Sequence, residues 1–112
     1  NIVGDVRGKN CLIIDDMCDT GGTICKVAEA LHKAGANEIS ACFTHGVLSG
    51  KAVENISGSY LKKVIVTNTI PIRDNGMPLV EGGKIEVLSV AGLLASAIKS
   101  IHDETSVSSL FI

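Results

Sequence analysis

Short apolar runs alternate along this chain with segments whose apolar residues recur at helical spacing. The runs predict four strands, at residues 11–14, 38–44, 63–67 and 84–89. The helical spacing predicts three helices: one from Thr23 to a stop at Gly35, one at 50–56 and one at 90–102. Because strands alternate with helices, the order indicates βαβ units, which have parallel strands and right-handed crossovers. The predicted fold class is α/β, with an open, mostly parallel sheet and flanking helices.

The remaining segments carry turn residues rather than a period. Residues 1–9 predict a turn or a hairpin end, and residues 73–84 predict a turn-rich loop. Ser49 is predicted to cap the second helix. In the tail, an alternating pattern places Ser106 and Ser108 on one side of an extended segment.

The strongest chemical feature is the change from apolar to acidic residues after the first predicted strand. Asp15 and Asp16 follow Ile14 directly, and Asp19 comes three residues later. Carboxylates in this position can accept hydrogen bonds from sugar hydroxyls, or they can help to hold Mg²⁺ through oxygen. His45 follows the second predicted strand at the same sheet edge, where a purely structural histidine is the alternative to one that faces a site.

A glycine pair and two threonines complete the same stretch, and they suit a phosphate group. Gly21 and Gly22 allow positive φ and the close approach of a ligand. The helix that begins here offers unpaired N–H groups and the positive end of its dipole, and Thr20 and Thr23 add hydroxyl donors. Together with the acids, this cradle predicts a sugar-phosphate site. The alternative is a helix capped by Asp19 or Thr20, with solvated acids.

Composition limits the classes of function. The 112 residues suit one domain, and 3% aromatic content among many aliphatic side chains suits a buried parallel sheet. A net charge of −2 without a basic patch argues against nucleic acid. No run approaches the roughly 18 apolar residues of a membrane span. No secretion signal opens the chain, and Asn1 in place of an initiating Met predicts a fragment or a processed piece.

The four cysteines point to a reducing compartment. They form no CxxC pair, so we expect free thiols and a cytoplasmic protein rather than disulfides. Their spacing does not support a zinc site. Cys18 is expected to be the one partly exposed thiol, beside the predicted site, where it serves as a small filler residue unless it is reactive.

Four stretches also carry a family resemblance. Residues 13–23, Ile-Ile-Asp-Asp-Met-Cys-Asp-Thr-Gly-Gly-Thr, resemble the ribose-phosphate-binding signature of the type I phosphoribosyltransferase fold. Residues 44–50, 66–71 and 106–111 resemble stretches of the ribose-phosphate pyrophosphokinase (phosphoribosyl pyrophosphate synthetase) family. The resemblance covers nearly all of the chain. It implies a phosphoribosyltransferase-like, Rossmann-like fold, with residues 1–112 as a partial C-terminal domain whose upstream domain is absent.

The resemblance implies a transferase. The family's ribose-phosphate diphosphokinase reaction moves diphosphate from ATP to ribose 5-phosphate and gives phosphoribosyl pyrophosphate and AMP for nucleotide biosynthesis. Mg²⁺ would be the cofactor, with Asp15 and Asp16 as its ligands. The family's cationic catalytic residues lie upstream of these stretches, so no residue here is predicted to be catalytic and the chain alone should be inactive. The predicted ribose 5-phosphate ligands are Asp15, Asp16, Asp19, Thr20, Gly21, Gly22 and Thr23.

The resemblance also implies regulation and assembly. Ser106, Ser108 and Phe111 would bind phosphate at a regulatory site between subunits, with inorganic phosphate as the activator. The expected assembly is a homo-oligomer in which dimers form a hexamer, and the expected partners are small-molecule substrates, without nucleic acid or membrane. The alternatives are a phosphoribosyltransferase that acts on a nucleobase, a non-catalytic regulatory subunit of the synthetase, and a purely structural α/β module.

Overall fold

The protein is built on a four-stranded sheet, and helices connect successive strands. The computed structural model describes residues 2–111. The strands are β1 (Cys11–Cys18), β2 (Ile39–Gly46), β3 (Leu61–Thr67) and β4 (Ile85–Leu88). The helices are α1 (Gly22–Lys33), α2 (Ala52–Ser57), α3 (Met77–Glu81) and α4 (Ala91–His102).

The described strands are all parallel and lie in chain order, β1-β2-β3-β4. Each right-handed crossover therefore moves in the same direction across the sheet, which sends successive helices to the same face. The hydrophobic core agrees with this arrangement, because Ile24 and Ala28 of α1 and Ile56 of α2 join the inward-facing strand residues in one cluster. The predicted α/β class with a parallel sheet is confirmed.

The core lies between this helix layer and one face of the sheet. Alternate residues of β2 and β3 point into it, as the period of a strand requires. Phe43, Ile39, Leu61, Val64 and Val66 are each at most 2% exposed. Gly35, at φ 90°, follows the end of α1, as the sequence predicts.

The opposite sheet face and α4 have no such cover among the described residues. Leu12 and Ile14 of β1 are 57% and 75% exposed, and α4 buries none of its side chains. The solvent-accessible area is 7244 Å², whereas a compact protein of this mass exposes about 5,800 Å². The radius of gyration is 16.4 Å, against about 13 Å for a compact chain of this length. The prediction of a buried sheet is therefore wrong for the outer face of β1.

β1 and β2 run past their predicted ends, and β3 begins two residues before its predicted start. β1 was predicted to stop at Ile14, but it continues through both aspartates to Cys18, because pairing with β2 runs on to Cys18 and Gly46. Aspartate disfavours strands in isolation. Here the exposed position of Asp16 on an edge strand leaves its carboxylate solvated, so the cost is small.

Three local predictions are corrected. Ser49 does not cap α2, whose N-cap is Lys51 without a side-chain hydrogen bond. The predicted loop at 73–84 contains a 3-10 turn at Asp74–Gly76 and the short helix α3. The tail is not extended, because its end forms a 3-10 turn at Ser108–Phe111. Over the described residues, no helix has both the length and the apolar character needed to cross a membrane.

Candidate functional site

A cavity of about 350 Å³ opens at the carboxyl end of β1, between that strand and the start of α1. This is the edge at which open parallel sheets bind ligands. Its apolar wall includes Met17, Val27 and Phe43, which the sequence did not assign to the site. Val27 had a signal, since it lies on the apolar period of α1, yet it is 40% exposed because it faces the cavity. The predicted site residues on the cavity are Asp15, Asp19, Thr20, Gly21, Gly22 and Thr23.

The two adjacent aspartates lie on different sides of the strand. Asp15 is in register with Phe43 and lines the cavity. Asp16 does not line it, because successive side chains of a strand point to opposite faces. The Asp16 amide donates to Asp15 Oδ1 at 2.8 Å, which helps to orient the Asp15 carboxylate. The structure thus brings Asp15 together with the glycine-threonine loop and keeps Asp16 outside the cavity.

The N-terminus of α1 is open toward the cavity. Its N-cap is Gly21, in the left-handed conformation at φ 76°, and no side chain caps the helix. Neither Asp19 nor Thr20 is the cap, so the capped-helix alternative is wrong. The first helical hydrogen bond runs from the Cys25 amide to the Gly21 carbonyl at 3.0 Å. The amides of the residues between them have no acceptor within the helix and carry the positive end of its dipole.

Cys18 is buried below this loop rather than partly exposed. Its side chain is 4% exposed. Burial raises the pKa of the Cys18 thiol to about 11, and the nearby Cys25, Asp19 and Asp15 add to the rise. The expectation of a partly exposed thiol is wrong, and Cys18 is a protonated packing residue at neutral pH. All four cysteines are free thiols, as predicted.

His45 belongs to a hydroxyl network at the ends of β2 and β3. Its Nδ1 lies 2.8 Å from Thr69 Oγ1, and Thr69 Oγ1 donates to the Thr44 carbonyl at 3.1 Å. The Thr67 hydroxyl donates to the same carbonyl at 2.6 Å. His45 does not line the cavity, so the structural alternative fits it better.

The remaining predicted residues lie elsewhere. Ser106 Oγ and Ser108 Oγ are 2.9 Å apart, and the Ser109 hydroxyl donates to the Ser106 carbonyl at 2.9 Å. Phe111 is 68% exposed. None of these tail residues lines the cavity, and the tail packs beside α4. Within residues 2–111, no three acidic, histidine or cysteine side chains form a metal-binding group.

Comparison with known proteins identifies the family. The family described as "Phosphoribosyl synthetase-associated domain" matches residues 1–112. The chain belongs to this family. In the curated proteins, it is 47% identical over 111 residues to a ribose-phosphate pyrophosphokinase of Shewanella oneidensis, and 51% identical over 111 residues to one of Clostridium acetobutylicum. Each match covers 99% of this chain and 34% of the relative.

A plant relative and a solved structure agree with this assignment. The chain is 50% identical over 113 residues to the chloroplastic ribose-phosphate pyrophosphokinase 1 of Arabidopsis thaliana, covering 27% of it. A crystal structure of phosphoribosylpyrophosphate synthetase from Mycobacterium smegmatis superposes with a TM-score of 0.83 at 41% identity, over 91% of this chain and 33% of that one. The chain of this synthetase-associated family thus spans about a third of the length of its relatives.

Proposed function

We propose that this chain is the ribose 5-phosphate-binding part of a ribose-phosphate diphosphokinase. The observation that carries the proposal is the meeting of an uncapped helix N-terminus with the Asp15 carboxylate in one cavity. Ribose 5-phosphate needs both chemistries, since its phosphate is an anion and its ring carries hydroxyl donors. The names of the relatives support diphosphate transfer as the reaction of the whole protein.

The loop after β1 would hold the phosphate, and the acids would hold the sugar. Backbone amides from Asp19 to Thr23 and the hydroxyls of Thr20 and Thr23 would donate to the phosphate oxygens. Asp15 would accept from the ribose hydroxyls at the cavity wall. Asp16 lies outside the cavity, so the sugar contact that the sequence predicts for it is tested by the Asp16→Asn variant below.

Mg²⁺ is proposed as the cofactor. This ion is commonly held by one or two carboxylates together with substrate oxygens and water, and it does not need a group of protein ligands. Asp15 in the cavity fits that requirement, because one carboxylate with substrate oxygens and water is enough, whereas the Asp16 side chain lies on the other face of β1. When bound, the ion would supply positive charge near the transferred group. ATP would be the second substrate, and its cationic contacts would come from outside this chain.

We further propose that this chain corresponds to the C-terminal part of a longer enzyme and that the rest of that enzyme covers the bare sheet face and α4. The exposed area exceeds that of a compact protein by roughly 1,400 Å², which is more than the roughly 800 Å² that one partner contributes to a standard interface. The relatives are long enough to supply such a cover, because this chain matches only about a third of their length. The chain alone would then be inactive, and charge stabilisation of the transferred group would need the covering part.

Regulation, assembly and location follow the same proposal. Ser106, Ser108 and Phe111 would form part of a phosphate site between subunits, and the paired hydroxyls of the two serines are suited to one anion. Inorganic phosphate would be the activator, and the assembly would be a homo-oligomer of dimers forming a hexamer. The protein would be cytoplasmic, in agreement with its free thiols.

The first test of the proposed function measures AMP formation from ATP and ribose 5-phosphate with Mg²⁺, in the enzyme that contains this chain. We expect Asp15→Asn and Thr23→Ala to lower the activity through a higher KM for ribose 5-phosphate. Asp16→Asn is the matched variant, and an equal loss would restore Asp16 to the site. A folded enzyme that forms no AMP would refute the proposal. Turnover after a nucleobase is added would then favour a phosphoribosyltransferase, and no turnover with a nucleobase would favour a regulatory subunit.

A further inference from the structure

Ser49 makes two contacts with Asp19 from the segment between β2 and α2. The Ser49 hydroxyl donates to Asp19 Oδ1, and the Ser49 amide donates to the Asp19 carbonyl at 3.0 Å. The two residues are 30 positions apart in the chain. A hydrogen bond from a hydroxyl to a carboxylate is of the charge-assisted kind, which is stronger than a bond between neutral groups.

The segment that carries Ser49 is itself fixed to the end of β1. The amides of Val47 and Leu48 both donate to the Cys18 carbonyl, at 3.0 and 3.1 Å. Leu48 has φ 52°, which is unusual for a residue with a side chain, and it is 3% exposed. Since burial of the Leu48 side chain offsets this strain, the backbone at residue 48 is held in place and aims Ser49 at Asp19.

Asp19 would otherwise be able to occupy the anion site itself. A carboxylate two residues before the N-cap and close to free helix amides is attracted to the same positive end as a phosphate. Asp19 lines the cavity, yet neither it nor any other side chain caps α1. Its Oδ1 is instead engaged by Ser49. The contact between Ser49 and Asp19 therefore fixes where the Asp19 carboxylate lies in the cavity, in addition to joining two distant segments of the chain.

We propose that Ser49 is a positioning residue that holds the Asp19 carboxylate away from the N-terminus of α1 and so keeps the anion site open. The inference rests on the proposed phosphate role of the loop after β1. It assigns Ser49 no contact with substrate. Without the Ser49 hydroxyl, the Asp19 carboxylate turns to the free amides of α1 and competes with the phosphate group.

The test compares ribose 5-phosphate affinity in the intact protein with and without the hydroxyl. Ser49→Ala should weaken binding by about fivefold, the equivalent of one helix-capping interaction. Ser49→Thr should retain the affinity, because it keeps a hydroxyl donor. Ser57→Ala, on the exposed side of α2, is the matched control and should change nothing.

A second substitution separates positioning from a merely structural role. In the Ser49→Ala background, Asp19→Ala should restore binding to within about twofold of the wild type, since the competing carboxylate is gone and the backbone amides remain. If the double variant binds no better than Ser49→Ala alone, Ser49 acts only as a scaffold and the proposal is refuted.

Hydrogen exchange tests the same proposal without a ligand. In Ser49→Ala, the amides of Thr23 and Ile24 should exchange several-fold more slowly, because Asp19 now caps them, and Asp19→Ala should reverse the change. Wild-type protein that does not bind ribose 5-phosphate would defeat the proposed function and leave this measurement to decide the role of Ser49. Unchanged exchange in Ser49→Ala would overturn the inference even if the wild type binds the sugar phosphate.

Discussion

Substituting alanine for each of the two adjacent glycines of the loop after β1 should give opposite effects. Gly21 is the N-cap of α1 at φ 76°, whereas Gly22 is the first helical residue and has no positive φ. Placing a side chain in the left-handed region costs about 1–2 kcal/mol. Alanine at Gly22 should instead stabilise the helix by about 0.5–1 kcal/mol, because it restricts the unfolded chain and favours helix.

Neither alanine would introduce a steric clash that affects this comparison. A Cβ at Gly21 would lie 3.7 Å from Ile56 Cγ1 and 3.9 Å from the Ala52 carbonyl oxygen, which are ordinary contacts. A Cβ at Gly22 would lie 3.7 Å from Thr20 Oγ1. The difference between the two variants is therefore a backbone effect, and adding the two terms gives about 2 kcal/mol.

Urea unfolding at 25 °C measures this difference directly. We expect Gly21→Ala to lower the free energy of unfolding and Gly22→Ala to leave it unchanged or higher, without a change in the urea dependence. Gly21→Asn is the control, because asparagine tolerates the left-handed conformation better than alanine, and it should recover part of the loss. Equal free energies of unfolding for the two alanine variants would refute the assignment of Gly21 as a left-handed N-cap.

Three further predictions concern the packing and charge around the sheet. Gly46→Ala should destabilise the protein by about 1–3 kcal/mol in urea unfolding, because its Cβ would lie 2.9 Å from Val66 Cγ1. If Gly46→Ala costs less stability in a Val66→Ala background than in the wild type, that contact is the cause. The free energy of unfolding should fall as pH rises from 9 to about 11, because the unfolded Cys18 thiol ionises near its ordinary pKa of 9.0 while the buried thiol keeps its proton to about 11. Cys18→Ala should reduce that slope without abolishing it, because burial also raises the pKa of the Cys25 thiol, and an undiminished slope would contradict the assignment. Lys33→Ala should lower the free energy of unfolding by no more than about 0.5 kcal/mol, because its ion pair with Glu29 at 3.1 Å is an exposed i,i+4 contact. Thermal unfolding measures this change, and a larger loss of stability would mean that Lys33 has a role beyond this pair.

Local patterns predicted the elements because the responsible forces act over a few residues. Apolar spacing marked α1 and α4, and apolar runs marked the four strands. The positions at which the elements end were predicted less accurately. β1 runs four residues past its predicted end at Ile14 because its pairing with β2 continues, and a partner strand cannot be read from the β1 sequence. The short helix α3 was missed because its five residues have no full helical period.

The composition of the candidate site was predictable, but its geometry was not. The stretch from Asp15 to Thr23 supplied acids, glycines and hydroxyls, and six of its seven predicted residues line one cavity. Sequence order treated Asp15 and Asp16 as equivalents, whereas the strand directs them to opposite faces. The burial of Cys18 and the contact of Ser49 with Asp19 were likewise hidden, because each depends on residues of β2 and the segment after it.

The sequence by itself therefore determined the α/β class and the chemical character of the loop after β1, since both follow from side-chain type and short-range spacing. Only the tertiary structure decided which groups meet in the cavity and which surface is left bare. Those outcomes depend on contacts between distant segments, such as Ser49 with Asp19, 30 residues apart, and Asn55 with the Thr20 carbonyl, 35 residues apart. Pairing of this kind is fixed by strand register and packing, and these arise only when the separate elements come together.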